Sequence, residues 1–318
     1  MADMQADHTV PAAQASVLRS LNVLAQRLER ALNMLGNGSN ADTELRAIAS
    51  GIIAAVRQAP DVALASIYLN QVAGPYAVRH CVEAAIVCAL IAPVMDNGAA
   101  QTCRIVAAAL TMNAGMLRLT ETFQLKDCAL SAGERSAILR HPVESAELLR
   151  RAGIDDEEWL ACVFAHHELD DGSGYPEGLS ADAIPEAARL VGMADRYCAL
   201  VSARNYRRSM LAPEALDKLR ADCRHPWLLA AFEQEIGQYP PGTLVRLANG
   251  ETGVVSMRRG IDGARQVCSL RDTLGVPFEP LERRSTREPL FQIVAALHED
   301  SAGLRFSMRQ IWGDAAAV

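Results

Sequence analysis

From Val17 onward, apolar residues recur at helical spacing: Val17, Leu21, Leu24, Leu28, Leu32 and Leu35 fall on one face, and Gly36-Asn37-Gly38-Ser39 ends the run. This predicts a helix over 17–35, behind a loose polar leader. Similar spacing predicts helices over 42–57 and 61–71. Gly74-Pro75 then breaks the chain, and residues 76–236 read as helical throughout. Ser131 and Glu134 form an S-x-x-E capping box, Pro142 marks a helix start and Gly153 an end. Asp155 and Glu158 repeat the box ahead of the apolar run Trp159–Phe164. After Tyr239-Pro240-Pro241-Gly242 the period changes to two. Thr243–Leu247 and Thr252–Val255, joined through Asn249-Gly250, predict a β-hairpin, with further strands over 266–270 and within 290–297. The expected architecture is mainly α, in three parts: an N-terminal helical segment (1–72), a helical domain (73–236) and a small β-rich C-terminal extension (237–318). The apolar N-terminal bundle reads as a lid or a dimerisation element, which makes a homodimer an expectation.

Composition narrows the classes. Half of the 318 residues are hydrophobic and 22% are charged, which is globular rather than disordered. Aromatics are only 5%, against abundant alanine and leucine, which favours packed helices. A net charge of −7 argues against DNA or RNA as the main partner. The eight cysteines form no CxxC pair and mostly sit in apolar runs, as expected of buried thiols in a reducing compartment. No stretch reads as a membrane span, and the acidic N-terminus does not read as a secretory signal. The expected location is the cytoplasm.

A few polar residues interrupt the helical region. His80 lies in line with the apolar Ala84, Val87, Cys88 and Ile91, and His141 sits at the expected helix break. His166 and His167 end the Trp159 helix, and Asp195 lies among Ala188, Val191 and Cys198. An ionised aspartate on an apolar face is costly unless a cation or donors meet it. Imidazoles with a carboxylate are the ligand set of zinc, iron, nickel or manganese. Any one of these histidines alone is more often a hydrogen-bonded core residue than a ligand.

Together the motifs are more specific. His166-His167-Glu168-Leu169-Asp170-Asp171-Gly172-Ser173-Gly174-Tyr175-Pro176 resembles the HHExxDGxGYP signature of the HD-GYP phosphodiesterases. The resemblance takes in His80, His141-Pro142, the run Ala194–Leu200, Arg204-Asn205-Tyr206-Arg207 and the region after Tyr239, about residues 60–297. It implies an HD-type helical bundle. It also implies hydrolysis of cyclic di-GMP by a metal hydroxide held in a two- or three-metal cluster.

The chain departs from that pattern at its centre. Where the family carries a run like LHDIGK, this sequence has Leu110-Thr111-Met112-Asn113-Ala114-Gly115-Met116. Met112 stands for the histidine, Asn113 for the metal-bridging aspartate and Met116 for the substrate-contacting lysine, while Tyr76 stands where some members carry an acid. Two divalent ions ~4 Å apart repel by roughly 16 kcal/mol at an effective dielectric of ~20. A neutral carboxamide cannot offset that, and a thioether is a poor ligand for hard ions. Carried over by resemblance, one metal position keeps His80 and Asp195, and the other keeps His141, His166 and His167. The expectation is no ion or at most one divalent ion per chain, and no hydrolysis by the usual route.

The favoured reading is therefore a binding or scaffold regulator in cyclic di-GMP signalling. The resemblance implies as partners the nucleotide, through Arg204 and Arg207, or a GGDEF-domain protein, through Gly174, Tyr175 and Pro176. The alternatives are a residual hydrolase with one metal on the three histidines, and a helical domain with no ligand.

Overall fold

The computed structural model describes residues 16–96, 98–124, 129–202 and 208–318. Helices fill the first three quarters: α1 (Val17–Met34), α2 (Asp42–Gln58), α3 (Pro60–Tyr68), α4 (Tyr76–Ile91), α5 (Ala99–Thr111), α6 (Leu117–Gln124), α7 (Ala132–Arg151), α8 (Glu157–Ala165), α9 (Glu186–Val201), α10 (Ala212–Asp222) and α11 (Pro226–Glu235). The strands β1 (Leu244–Leu247), β2 (Thr252–Met257), β3 (Gln266–Arg271), β4 (Pro277–Ser285) and β5 (Ile293–Leu297) follow, then the short α12 (Glu299–Ala302) and α13 (Met308–Trp312).

The axis of the bundle is α4. Of its sixteen residues only Arg79 is not buried, because α1, α2, α3, α5, α6, α9 and α11 all pack on it. Continued through a 3-10 turn to Met95, this stretch is 20 residues long and apolar enough to cross a membrane by composition, contrary to the sequence expectation. Its apolarity is that of a core helix, and 78% of it is buried in the fold. The apolar stripe of α1 is likewise covered by α2, α3 and α4 of the same chain. One hydrophobic cluster runs from Val17 through the helices to Ile236 and takes in Met308 and Ala316 near the end of the chain.

Three helix boundaries differ from the pattern-based expectation, the first being the end of α3 at Tyr68 and not at residue 71. Ser131 caps α7 with Glu134 in the expected box, but α7 then runs on through Pro142, so His141 lies inside a helix and not at a break. The cap of α8 is Asp156, not Asp155; its carboxylate accepts from Trp159 N–H and also holds Arg46 and Arg104, at 3.0 and 2.9 Å. Those two arginines tie α2 and α5 to the start of α8.

The sheet is antiparallel with the order β4-β3-β2-β1-β5. The Asn249-Gly250 turn joins β1 to β2 as expected, and Gly250 takes the positive φ of +96° that such a turn requires. β4 was not legible, because Pro277, Pro280 and a run of charges hide its alternation; it lies at the sheet edge, where proline and charge are tolerated. Arg258 fastens the extension to the helical body, reaching Asp61 at 3.0 Å and Glu235 at 2.9 Å. Arg258 and Arg284 each belong to an Arg-Arg pair in the sequence, which by itself suggests exposed charge, but neither is exposed. Arg284 makes a two-pronged bond to the buried Glu251, 3.0 Å on each arm, with its guanidinium over the rings of Phe291 and Phe278. Among the described cysteines none is disulfide-bonded, and Cys81, Cys88, Cys162, Cys198 and Cys268 are buried; Cys128 lies outside the described residues.

Burial raises the Glu251 carboxyl, but hydrogen bonds from Arg284, Ser269 and Asn249 outweigh it and hold it below the usual glutamate range. Its contribution to stability is therefore present above about pH 4.3 and lost as the pH falls through the depressed value. Arg284→Ala is expected to lower the unfolding free energy by about 3 kcal/mol, because it leaves a buried carboxylate unpaired. Urea titration at neutral pH measures this; an unchanged midpoint would refute the assignment.

Candidate functional site

The site is built where α7, α8 and α9 meet. Pro142 has no N–H, so the carbonyl of Ile138, four residues earlier on α7, loses its helical donor. The Nδ1–H of His141 takes that place, donating to Ile138 O at 2.6 Å. At the end of α8 the same bond recurs: His166 Nδ1–H donates at 2.6 Å to Val163 O, a last-turn carbonyl with no later helical residue to meet it. Both rings are thereby fixed in the tautomer that leaves Nε2 bare. The two Nε2 atoms face each other at 3.2 Å. His167 completes the group, with the three ligand nitrogens within 4.8 Å of one another.

Electrostatics keep these rings unprotonated. Burial, and then the neighbouring His166, push His141 down to about 4. Burial lowers His166 too, against the opposing pull of Asp195, and lowers His167 well below the usual imidazole range, with His166 adding to the effect. Two bare nitrogens aimed at each other at 3.2 Å repel unless a cation lies between them. Three neutral imidazole nitrogens with carbonyl-anchored tautomers fit a borderline divalent ion such as zinc, iron or manganese.

Glycines bring the elements together. A Cβ at Gly192 would stand 2.1 Å from His166 O, so α9 crosses the end of α8 only because residue 192 has no side chain. Asp195, one turn on, is thereby held beside the histidines. Gly115 N–H donates to Ser145 Oγ at 2.8 Å, which sets the Met112–Met116 stretch against α7. A Cβ at Gly174 would stand 2.3 Å from Leu169 N, so the Gly174-Tyr175-Pro176 loop can fold back on its own start. Tyr175 then stacks on His167, ring centroids 4.6 Å apart, and roofs the cluster.

The second expected metal position looks different. His80 Nε2–H donates to Asp195 Oδ1 at 2.7 Å, and His80 Nδ1 is buried without a hydrogen-bond partner. Burial raises the Asp195 carboxyl, but the His80 hydrogen bond and the surrounding histidines outweigh this and hold it well below the carboxylate range. The Tyr76 ring stacks on His80 at 5.7 Å. Met112 is wholly buried in the hydrophobic core, and Met116 is half-buried. Asn113 is 4% exposed, and its Oδ1 has no partner. Burial, and then the Asp195 charge, push the Cys81 thiol up to about 12, against hydrogen bonds from the Asn113 backbone and side chain.

A bridged ion pair does not fit this arrangement. Among the described residues the other nearby acids have partners, although Glu83 Oε1 accepts no hydrogen bond. Glu168, a candidate replacement bridge, accepts from Glu177 N–H at 2.7 Å and Leu179 N–H at 2.8 Å and so closes the loop. Glu83, buried on α4, accepts from Ser202 Oγ–H and lies 3.6 Å from Arg79. Burial raises the Glu83 carboxyl. Sequence reading missed Glu83, although a lone acid three residues after His80 in an apolar helix was the available signal. It also left Arg196 without a role; that guanidinium lies against Gly192, and its charge lowers both His166 and His167. Arg204 and Arg207, the expected phosphate contacts, lie outside the described residues.

Comparison with known proteins agrees with this geometry. Residues 68–228, about half of the chain, match the HD domain family. The chain belongs to the HD domain family, and within it to the HD-GYP group. Among individual relatives, the cyclic di-GMP phosphodiesterase PA4108 of Pseudomonas aeruginosa is 33% identical over 48% of this chain and 37% of its own length. The cyclic di-GMP phosphodiesterase response regulator RpfG of Xanthomonas campestris is 38% identical over 34% of this chain and 29% of its own. The 3'3'-cGAMP-specific phosphodiesterase 1 of Vibrio cholerae is 35% identical over 35% of this chain and 26% of its own. The chain thus spans about a third of the length of these relatives. Bd1817, an HDG"Y"P protein from Bdellovibrio bacteriovorus, shares the fold: the TM-score is 0.53 at 15% identity, over 71% of this chain and 73% of that one.

Two outcomes follow from the histidine geometry. Pro142→Ala returns an N–H to Ile138 O and frees the His141 ring, so cobalt(II) affinity at the cluster is expected to fall about tenfold. Thermal stability should hold or rise, since a proline leaves a helix interior. Unchanged affinity would refute the tautomer argument. For the metal-free chain, a depressed histidine contributes stability that is present above the unfolded value near 6.5 and lost as the pH falls toward about 4. The urea midpoint should drop between those values, and less steeply in His141→Gln; parallel profiles would count against it.

Proposed function

We propose that this HD-GYP protein acts in cyclic di-GMP signalling by binding and does not hydrolyse the messenger by a bridged two-metal route. The observation that carries this reading is Asn113: at the centre of the site a neutral, buried carboxamide stands with its Oδ1 unpartnered, and Asp195 is already bonded to His80. The occupant would be cyclic di-GMP, a nucleotide named for several of the relatives, or a GGDEF-domain protein docking on the Gly174-Tyr175-Pro176 loop. The setting would be the cytoplasm.

One divalent ion per chain is the most that the donor set supports, on His141, His166 and His167. A bound ion would supply Lewis acidity at that point. Because those three nitrogens are so well prepared, a second reading has its own support: residual phosphodiesterase activity on a single ion.

Purified protein loaded with manganese, iron(II) or zinc is expected to hold no more than one ion per chain by mass spectrometry of total metal. It should leave cyclic di-GMP uncleaved while binding it in a calorimetric titration. Turnover that disappears in His166→Ala would establish the single-ion hydrolase instead. Two stoichiometric ions would overturn the charge argument, and undetectable nucleotide binding would leave the protein-docking role.

A further inference from the structure

Half-buried arginines in this protein meet carboxylates or carbonyls. Arg46 and Arg104 share Asp156, Arg189 holds Asp170, and Arg265 donates to Tyr239 O at 3.2 Å. Arg196 is the exception among the described residues: it is half-buried on α9, and neither a carboxylate nor a carbonyl bonds it. Its Nε is buried without a partner, whereas Nη1 and Nη2, equally unbonded, keep contact with solvent. A charged donor partly withdrawn from water and unmet is costly, and nothing among the described residues offsets that cost. The guanidinium has a definite place. Gly192, one turn earlier, has no side chain, and Arg196 Nη1 lies 3.5 Å from the point where its Cβ would stand. The same point is 2.1 Å from His166 O. Arg196 therefore lies along the seam between α9 and the end of α8, and its charge lowers both His166 and His167. The neighbouring Asp195 turns to His80 instead.

We propose that Arg196 is a phosphoryl-binding residue of the histidine site, receiving one phosphate group of an incoming nucleotide on Nη1 and Nη2. An arginine fork presents paired N–H donors that match the oxygens of a phosphoryl group, and the neutral imidazoles beside it bring no anion to compete. The guanidinium meets the phosphate charge without a second metal ion, so the neutral Asn113 is no obstacle to this contact. The assignment rests on the reading that the site takes a nucleotide, and it gives that nucleotide an anchor on α9.

The test titrates the full chain with inorganic phosphate, followed by phosphorus NMR, and with cyclic di-GMP by calorimetry. Arg196→Gln is expected to weaken both about tenfold, and Arg196→Lys, which keeps the charge but not the fork, by less. Without ligand, the melting temperature of Arg196→Gln should hold or rise, since an unmet charge leaves a half-buried position. A fall would mark a structural role and overturn the assignment. Acetate bound as tightly as phosphate would overturn the phosphoryl class. Cyclic di-GMP bound equally by the wild type and Arg196→Gln would remove the role of Arg196 and leave the nucleotide reading intact. Phosphate bound through Arg196, with no nucleotide bound, would keep the contact and end the nucleotide reading. Binding of neither by the wild type would overturn both.

Discussion

A helix carbonyl that loses its backbone donor must be met by something else, and at two places in this protein that something is a histidine. Pro142 deprives Ile138, and the end of α8 deprives Val163; in each case the imidazole three residues on donates from Nδ1 at 2.6 Å. Each bond does two jobs at once. It satisfies a backbone group that would otherwise be buried and unpaired, and it fixes which ring nitrogen stays bare. The cluster's donor set is therefore a by-product of helix hydrogen bonding, and it is as rigid as the helices themselves. Gly192 lets α9 approach closely enough to place Asp195 against it.

Among the described residues, the carboxylates around the cluster already have partners. Asp195 is taken by His80, Glu83 by Ser202 with Arg79 nearby, Glu168 by two loop N–H groups, and Asp170 by Arg189 and His225. Arg196 adds a positive charge on the same side. Repulsion between two adjacent divalent ions, roughly 16 kcal/mol at 4 Å and an effective dielectric of ~20, meets a neutral carboxamide at Asn113, while the Asp195 charge reaches the three rings from the His80 side. One ion among three neutral nitrogens meets no such barrier. The donor geometry and the charge balance thus point to the same limit from different directions.

The site was legible in the sequence to the extent that its chemistry is carried by unusual residue types in a fixed order. His141, His166 and His167 converge as the motif implied, and His80 meets Asp195. What was not legible depended on partners distant in the chain. Pro142 reads as a helix start by itself, but α7 continues through it, with the His141 ring supplying the missing donor to Ile138 O. Arg284 reads as surface charge until Glu251 and two phenylalanine rings surround it. The cap at Asp156 rather than Asp155 reflects Arg46 and Arg104, from two other helices, converging on that carboxylate. The membrane-like apolarity of Tyr76–Met95 has its cause in the many helices that pack on it, which no local pattern records.

The same division separates the site residues that the helices themselves need from those they do not. His141 and His166 bind backbone groups of their own helices, so replacing either would orphan a carbonyl as well as remove a ligand. Position 112 carries no such duty. Met112 is fully enclosed by core residues, where an apolar side chain packs without any polar group to satisfy. Asn113 is a near-isostere of aspartate that removes a buried charge, and its amide still meets Cys81. Met112 and Asn113 thus fit a core that asks for no charge there, whereas the bundle's own hydrogen bonding holds His141 and His166 in place. A three-nitrogen cluster beside a neutral carboxamide is what this packing holds, and helix hydrogen bonding alone accounts for the fixed orientation of His141 and His166.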